Sequence, residues 1–337
     1  MNIAVFMGGI SKERNVSFAS GKAVAEALLA KGHSVVAIDP ARGKNGIIDD
    51  LATFNPNAGV EPSSAELAAF PPSNLVECVY SSLLDGIDVV FLALHGKYGE
   101  DGYIQSLLDL RGVRYTGSKM LSSTIAMSKL LSKRIFQSVG ISTPAFVTVT
   151  PEQAREMDYL EEIRDTLGYE LVVKPDGEGS TVGISIILDG NLDDLARAIT
   201  LAAEFSRTIL VEEFIEGREL TVSVVGDETL PIIEIRTDSG FYDYAHKYTK
   251  GRTEYICPAE LPDDVEHFVT QLALDAHNAL ECKGYSRVDF RLSDEYQAYC
   301  LEVNTLPGMT GTSLVPKAAA AADMDFGELC ERILELA

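Results

Sequence analysis

Two short segments near the C-terminal third carry polar side chains at alternating positions: Ser286–Leu292 (SRVDFRL) and Ala298–Asn304 (AYCLEVN). Alternation along a strand puts Arg287 and Asp289 on one face, and Glu302 and Asn304 on one face. A hairpin turning near Glu295-Tyr296 sets Asp289 opposite Glu302 and Arg287 opposite Asn304. The result is one patch of two carboxylates, an amide and a guanidinium. Facing carboxylates repel unless a cation lies between them. Oxygen donors without Cys or His select Mg²⁺ or Mn²⁺. The plain alternative is an exposed hairpin face held by Arg–carboxylate pairs. Val288, Phe290, Leu301 and Val303 then form the core face.

Other stretches have the composition of sites. Leu171–Gly183 (LVVKPDGEGSTVG) ends an apolar strand on Lys174 and continues into a glycine-rich, hydroxyl-bearing loop. Such a loop lets backbone N–H groups reach phosphate oxygens while the lysine supplies charge, although a plain hairpin turn reads equally well. The chain has neither a GxxxxGK[ST] loop nor a GxGxxG after its first strand. Glu212, Glu213, Glu216 and Glu219 crowd a strand end, where a solvated charge run is the simplest reading. His95–Gly102 (HGKYGEDG) follows the buried run Asp88–Leu94 and fits a site at a sheet's C-terminal edge. Glu13 stands where a helix begins, suiting dipole capping or an ammonium ligand. Tyr242–Tyr248 (YDYAHKY) reads as a solvent-facing loop.

The elements that position these groups follow from periodicity. Asn2–Met7, Ser34–Ile38 and Asp88–Leu94 are apolar strands alternating with a helix over Ser17–Leu29, predicting a parallel sheet with helices on both faces. Ala41–Asn74 reads as a peripheral insertion with little chemistry. A small α+β domain follows, with helices over Ser122–Ser138, Glu152–Leu167 and Leu192–Phe205. Its strands lie at Leu171–Lys174, Val182–Leu188 and Thr208–Phe214. The last third adds strands at Leu220–Val225 and Pro231–Arg236 and a helix over Asp263–Leu280.

With 337 residues, the chain divides into two or three domains at ~150 residues each. Its net charge of −23 excludes a nucleic-acid or membrane-surface role. No apolar run is long enough to span a bilayer. The N-terminus lacks the basic segment of a signal peptide. The five scattered cysteines fit a reducing cytoplasm better than a disulfide framework.

Taken together and in order, these motifs resemble the ATP-grasp enzymes, and within them the D-alanine–D-alanine ligase family. The resemblance runs from Met1 to Ala337. It rests on GGxSxERxVS at Gly8–Ser17, HGxxGEDG at His95–Gly102, YTGS at Tyr115–Ser118 and KPxxEGSxVG at Lys174–Gly183. It continues with YDYxxKY at Tyr242–Tyr248, RVD at Arg287–Asp289 and ExNTxPGMTxTS at Glu302–Ser313.

The resemblance implies a three-domain ATP-grasp architecture of α/β and α+β class. An N-terminal parallel-sheet domain (1–118) precedes two α+β domains (119–210 and 211–337) that sandwich ATP. Lys129 and Lys174 would hold α- and β-phosphate oxygens, and Glu178, Gly179, Ser180 and Thr181 would cover the phosphates. Glu212, with Glu213, Phe214 and Ile215, would bind the adenine edge, and Glu219 the ribose. Asp289, Glu302 and Asn304 would bind two Mg²⁺ (or Mn²⁺). Arg287 and the Gly308 N–H would face the oxyanion. Glu13 would take the first D-alanine's ammonium, beside Val16 and His95. Lys247, Ser313 and Leu314 would hold the second D-alanine. Glu13, Ser180 and Tyr248 would close the site, and Tyr248 in place of Phe implies an amino-acid acceptor over a hydroxy acid. The resemblance also implies a homodimer and a part in peptidoglycan synthesis. Thr181 replaces a second Ser of the family pattern, and Asn15, where an acid is common, should face solvent. A ligase using D-lactate or D-serine as acceptor, and a nucleotide-binding module without turnover, remain the alternatives.

Overall fold

The computed structural model describes residues 1–54, 56–237 and 253–337. Lys247 and Tyr248, with the rest of Tyr242–Tyr248, lie outside the described residues.

The first unit is built on β1 (Asn2–Phe6), β2 (Ser34–Ile38) and β3 (Val89–Leu92), parallel in the order β2-β1-β3. The crossover from β1 to β2 is α1 (Arg14–Ala30), which begins immediately after the Gly8-Gly9 loop. All of Ile3–Phe6 and all of β3 are buried, as strands covered on both faces require. The loops at the C-terminal ends of β1 and β3 carry Glu13 and His95.

Within the segment 41–74, Asn15 donates through Nδ2 to the Val60 carbonyl at 2.7 Å, so it does not simply face solvent. Lys22 donates to the Phe54 carbonyl at 2.6 Å. The segment is mostly exposed, as expected of a peripheral insertion, but it is strapped to α1, whose two donors satisfy its backbone carbonyls.

The second sheet is antiparallel, with β4 (Phe146–Val149), β5 (Leu171–Pro175), β6 (Ser185–Ile187) and β7 (Ile209–Glu213) in the order β4-β7-β5-β6. The third contains β8 (Arg218–Val225), β9 (Glu228–Thr229), β10 (Ile233–Thr237), β11 (Thr253–Ile256), β12 (Tyr285–Leu292) and β13 (Ala298–Asn304). Its order is β11-β10-β8-β12-β13, with β9 on β8. Strand β12 is central and pairs with β8 without a register break from Tyr285 to Leu292.

The stretch expected as one helix over Ser122–Ser138 is two helices, α2 (Met120–Met127) and α3 (Lys129–Ser138). The break lies at Ser128, whose backbone is extended and whose Oγ accepts from the Leu131 N–H. Asp176, from the loop after β5, fixes it by accepting from Ser128 Oγ at 3.0 Å and from the Leu130 N–H at 3.1 Å. A distant carboxylate thus overrides a good helical run. Ala126, Phe136 and Ile141 pack into the core beneath the third sheet, with Val222, Val288 and Phe290.

Candidate active site

The hairpin forms with Asp289 opposite Glu302 and Arg287 opposite Asn304. Beyond Asp289 the register shifts by one, so Phe290 pairs with Cys300 and Leu301 is the bulged residue. The turn closes over 293–297, with the Ser293 N–H donating to the Gln297 carbonyl and Tyr296 left-handed at φ 61°. The bulge re-aims Leu301. It was expected in the core, but it lines the cleft beside Glu302 while Val288, Phe290 and Val303 are buried.

That cleft lies between the second and third sheets. Its apolar part is a slot with Val172 and Ile186, directly paired across β5 and β6, on one side and Leu301 on the other. Phe214 and Pro144 also line it. The slot suits a flat aromatic ring. Its polar floor holds Lys129, Lys174, Glu212, Glu219, Arg287, Asp289 and Glu302.

Lys174 follows Val172 on the same face of β5 and donates to Glu212 Oε2 at 2.7 Å. Lys133 approaches Glu212 Oε1 at 3.3 Å from the other side and donates to Thr143 Oγ1 at 2.6 Å. Glu212 is 1% exposed. Burial would raise its pKa, but Lys174 and Lys133 outweigh that and hold it below the ordinary carboxylate range. Burial is also the leading influence on Lys133, pushing it down to about 8. Lys133 escaped the sequence reading because nothing local marks a buried lysine on a helix.

Lys129, the first residue of α3, donates to the Glu178 carbonyl at 2.6 Å and lies 3.4 Å from Glu302 Oε2. It therefore touches both the glycine-rich loop and the carboxylate patch. Glu178, Gly179, Ser180 and Thr181 line the cleft, and Ser180 and Thr181 are both left-handed, at φ 51° and 65°. On the segment expected to face the adenine edge, Glu213 Oε1 accepts from the Ala145 N–H at 2.7 Å. Arg291 donates to the Ile215 carbonyl at 3.0 Å and lies 3.5 Å from Glu219.

Asp289 accepts from Arg287 Nε at 2.9 Å and from Thr221 Oγ1 at 2.6 Å. Asn304 Oδ1 accepts from the Leu306 N–H at 3.0 Å. Among the described residues, no cluster of three or more His, Cys, Asp or Glu is arranged for a metal. Two carboxylates and an amide nevertheless fit Mg²⁺, which usually takes one or two protein carboxylates and fills its shell with water and substrate phosphate oxygens.

A second cavity adjoins the first. It is lined by Glu13, Val16, His95, Asn304, Gly308, Ser313 and Leu314, with Arg287, Glu302 and Ser180 at the junction. Glu13 is the N-cap residue of α1, yet its side chain makes no capping bond and accepts from Ser180 Oγ instead. Gly96 beside it is left-handed at φ 68°, a conformation L side chains rarely adopt. His95 is buried, with Nδ1 3.1 Å from the Leu306 carbonyl and 3.4 Å from Glu100 Oε1, and Nε2 3.0 Å from Ser20 Oγ. Two acceptors at Nδ1 place the proton there. Ser20 Oγ also accepts from the Met309 N–H at 3.2 Å, so His95 and Ser20 pin the loop carrying Gly308 to the first unit. Ser313 Oγ accepts from the Thr310 N–H at 3.0 Å.

Two antiparallel sheets gripping a cleft with an apolar slot, two lysines and facing carboxylates, behind a parallel-sheet unit, define an ATP-grasp enzyme. The D-ala D-ala ligase N-terminus family matches residues 2–118, and the D-ala D-ala ligase C-terminus family matches residues 135–335. The chain belongs to the D-alanine–D-alanine ligase family. It is 43% identical over 333 residues to the D-alanine--D-alanine ligase of Syntrophotalea carbinolica, covering 98% of this chain and 94% of that one. It is 44% identical over 340 aligned positions to that of Sphingopyxis alaskensis, covering 99% and 97%. The crystal structure of the Bacillus anthracis ligase complexed with ATP is similar at TM-score 0.74 and 33% identity, covering 100% and 96%. The VanG D-Ala:D-Ser ligase of Enterococcus faecalis is similar at TM-score 0.78 and 28% identity, covering 100% and 99%.

Proposed function

We propose that the chain joins two D-alanine molecules using ATP, giving D-alanyl-D-alanine, ADP and phosphate, as a cytoplasmic, homodimeric enzyme of peptidoglycan precursor synthesis. The observation that carries this is the junction of the two cavities, which share Gly179, Ser180, Arg287, Glu302 and Leu314. A nucleotide with its base in the apolar slot ends its phosphate chain where an amino acid held by Glu13 presents its carboxylate.

Lys129 and Lys174 orient the α- and β-phosphates. Asp289, Glu302 and Asn304 would hold Mg²⁺, which would supply neutralisation of phosphate charge. A carboxylate oxygen of the first D-alanine attacks the γ-phosphorus as the bond to the β–γ bridging oxygen breaks, and ADP leaves. The amine of the second D-alanine then attacks the acylphosphate carbonyl. A C–N bond forms, the nitrogen loses a proton, and the C–O bond to phosphate breaks. Arg287, here paired with Asp289, and the Gly308 N–H supply donors to the oxyanion between those events. Gly179–Thr181 exclude water that would hydrolyse the acylphosphate. Lys247, Ser313 and Leu314 hold the second substrate, with Glu13, Ser180 and Tyr248 closing the site.

The test is product analysis after incubation with ATP, Mg²⁺ and D-alanine, with D-serine and D-lactate as competing acceptors. D-alanyl-D-alanine as the main product, with phosphate release dependent on D-alanine, is the expected result. Phosphate release with L-alanine but not D-alanine would overturn the stereochemical assignment. Sedimentation of the purified chain checks the dimer.

A further inference from the structure

The amino-acid cavity has both polar walls, with Glu13, Arg287 and Ser313 among them, and apolar ones. Its apolar patch on the α1 side is made by Val16, Ala19 and Ala58. Val16 and Ala19 are three apart on α1 and so share a face. Ala58 comes from the segment strapped to that helix. Its two straps flank it in sequence, Lys22 holding the Phe54 carbonyl and Asn15 the Val60 carbonyl. Asn15 and Lys22 are seven apart, two turns along one side of the helix. Phe54 also packs edge-on against Phe18, with ring centres 4.9 Å apart at 75°. Helix α1 thus carries the ammonium-facing Glu13, two pocket-lining side chains and both straps.

We propose that Ala58 is a specificity-determining residue: held in place by Asn15, it walls the first-substrate pocket and limits the side chain accepted there to about a methyl group. This rests on the ligase reading above. A zwitterion oriented by Glu13 and Arg287 turns its side chain toward the apolar patch on the α1 side. There Ala58 opposes any extension beyond the first carbon. Asn15 acts as a positioning residue through Val60, without touching the substrate.

The experiment compares the full-length chain with Ala58→Leu, Ala58→Gly, Asn15→Ala and Asn15→Gln. It measures KM for D-alanine at the first site, KM for ATP, and the composition of dipeptides made from mixtures of D-alanine and D-2-aminobutyrate. Ala58→Leu should raise the first-site KM about tenfold by overfilling the pocket, and leave the KM for ATP within about twofold. Ala58→Gly and Asn15→Ala should raise incorporation of D-2-aminobutyrate at the N-terminal position of the dipeptide about three- to tenfold over wild type. Asn15→Gln, which retains a donor, should fall back toward wild type. An unchanged first-site KM in Ala58→Leu, or unchanged dipeptide composition in both Ala58→Gly and Asn15→Ala, overturns the proposal while wild type still makes dipeptide. An effect confined to the C-terminal position also overturns it. A wild-type chain that makes no dipeptide overturns the ligase reading and this wall together.

Discussion

Glu13 accepts a hydrogen bond from Ser180, a residue 167 positions later, and both side chains line the second cavity. The bond joins the start of α1 to the glycine-rich loop and fixes that loop over the junction of the two cavities. Ser180→Ala should raise the KM for D-alanine about tenfold. It should also push the ratio of phosphate released to dipeptide formed above one, because water then reaches the acylphosphate. Parallel phosphate and dipeptide assays check this; a ratio that stays at one removes the loop's shielding role.

Glu302 stands opposite Asp289 and 3.4 Å from Lys129. Glu302→Gln keeps the shape and removes the charge. Turnover should fall by roughly 10²–10³, the scale for losing one electrostatic contact made to developing charge. The melting temperature should hardly move, since the side chain is about one-third exposed. Near-normal turnover in this variant would reject its metal role.

Lys133 sits in the buried chain Lys174–Glu212–Lys133, behind the cleft wall, and does not itself line the cleft. Lys133→Met leaves Glu212 with one counter-charge and should destabilise the fold by about 3–5 kcal/mol. Urea denaturation reads the loss directly. At temperatures where the variant remains folded, the KM for ATP should rise as well, since Lys174 is drawn more strongly to Glu212.

His277 is buried on the helix Asp263–Ala279, with Nδ1 2.7 Å from Ser286 Oγ. Burial is the main cause that lowers its pKa, to about 4. The unfolded chain takes up a proton near the ordinary value of ~6.5 while the folded chain does not. Stability contributed by the neutral imidazole is thus complete above ~6.5 and declines as pH falls toward 4, by roughly 3 kcal/mol over the window. Thermal melts between pH 7.5 and pH 5 should show this slope, and His277→Gln should flatten it. An identical slope in the variant would assign the acid sensitivity to other groups.

The hairpin that carries the carboxylate patch was legible because strand alternation and a symmetric turn fix which residues face each other. Asp289 with Glu302, and Arg287 with Asn304, are paired as the spacing predicts. The bulge was not legible, because Leu301 looks like any other apolar strand residue and only the closure of the turn over 293–297 displaces it. The helix break at Ser128 was hidden for a different reason: Asp176 makes it, nearly fifty residues away. Likewise, the segment 41–74 reads as surface loop by composition, and its approach to the amino-acid cavity depends on Asn15 and Lys22 of another element. The identity of the reaction came from the ordered motifs as a resemblance; alternation and periodicity alone reach only a cation patch and a phosphate-type loop.

The register shift in the β12–β13 hairpin also separates two mechanical jobs. Strand β12 is aligned by β8 along its whole length, and the slack of the hairpin lies wholly on the far side of Asp289. Extra residues grafted into 293–297 would therefore lengthen a turn that already tolerates irregularity, without displacing the reactive patch. That turn is the natural place to attach a fluorophore or peptide tag for following this enzyme in living cells.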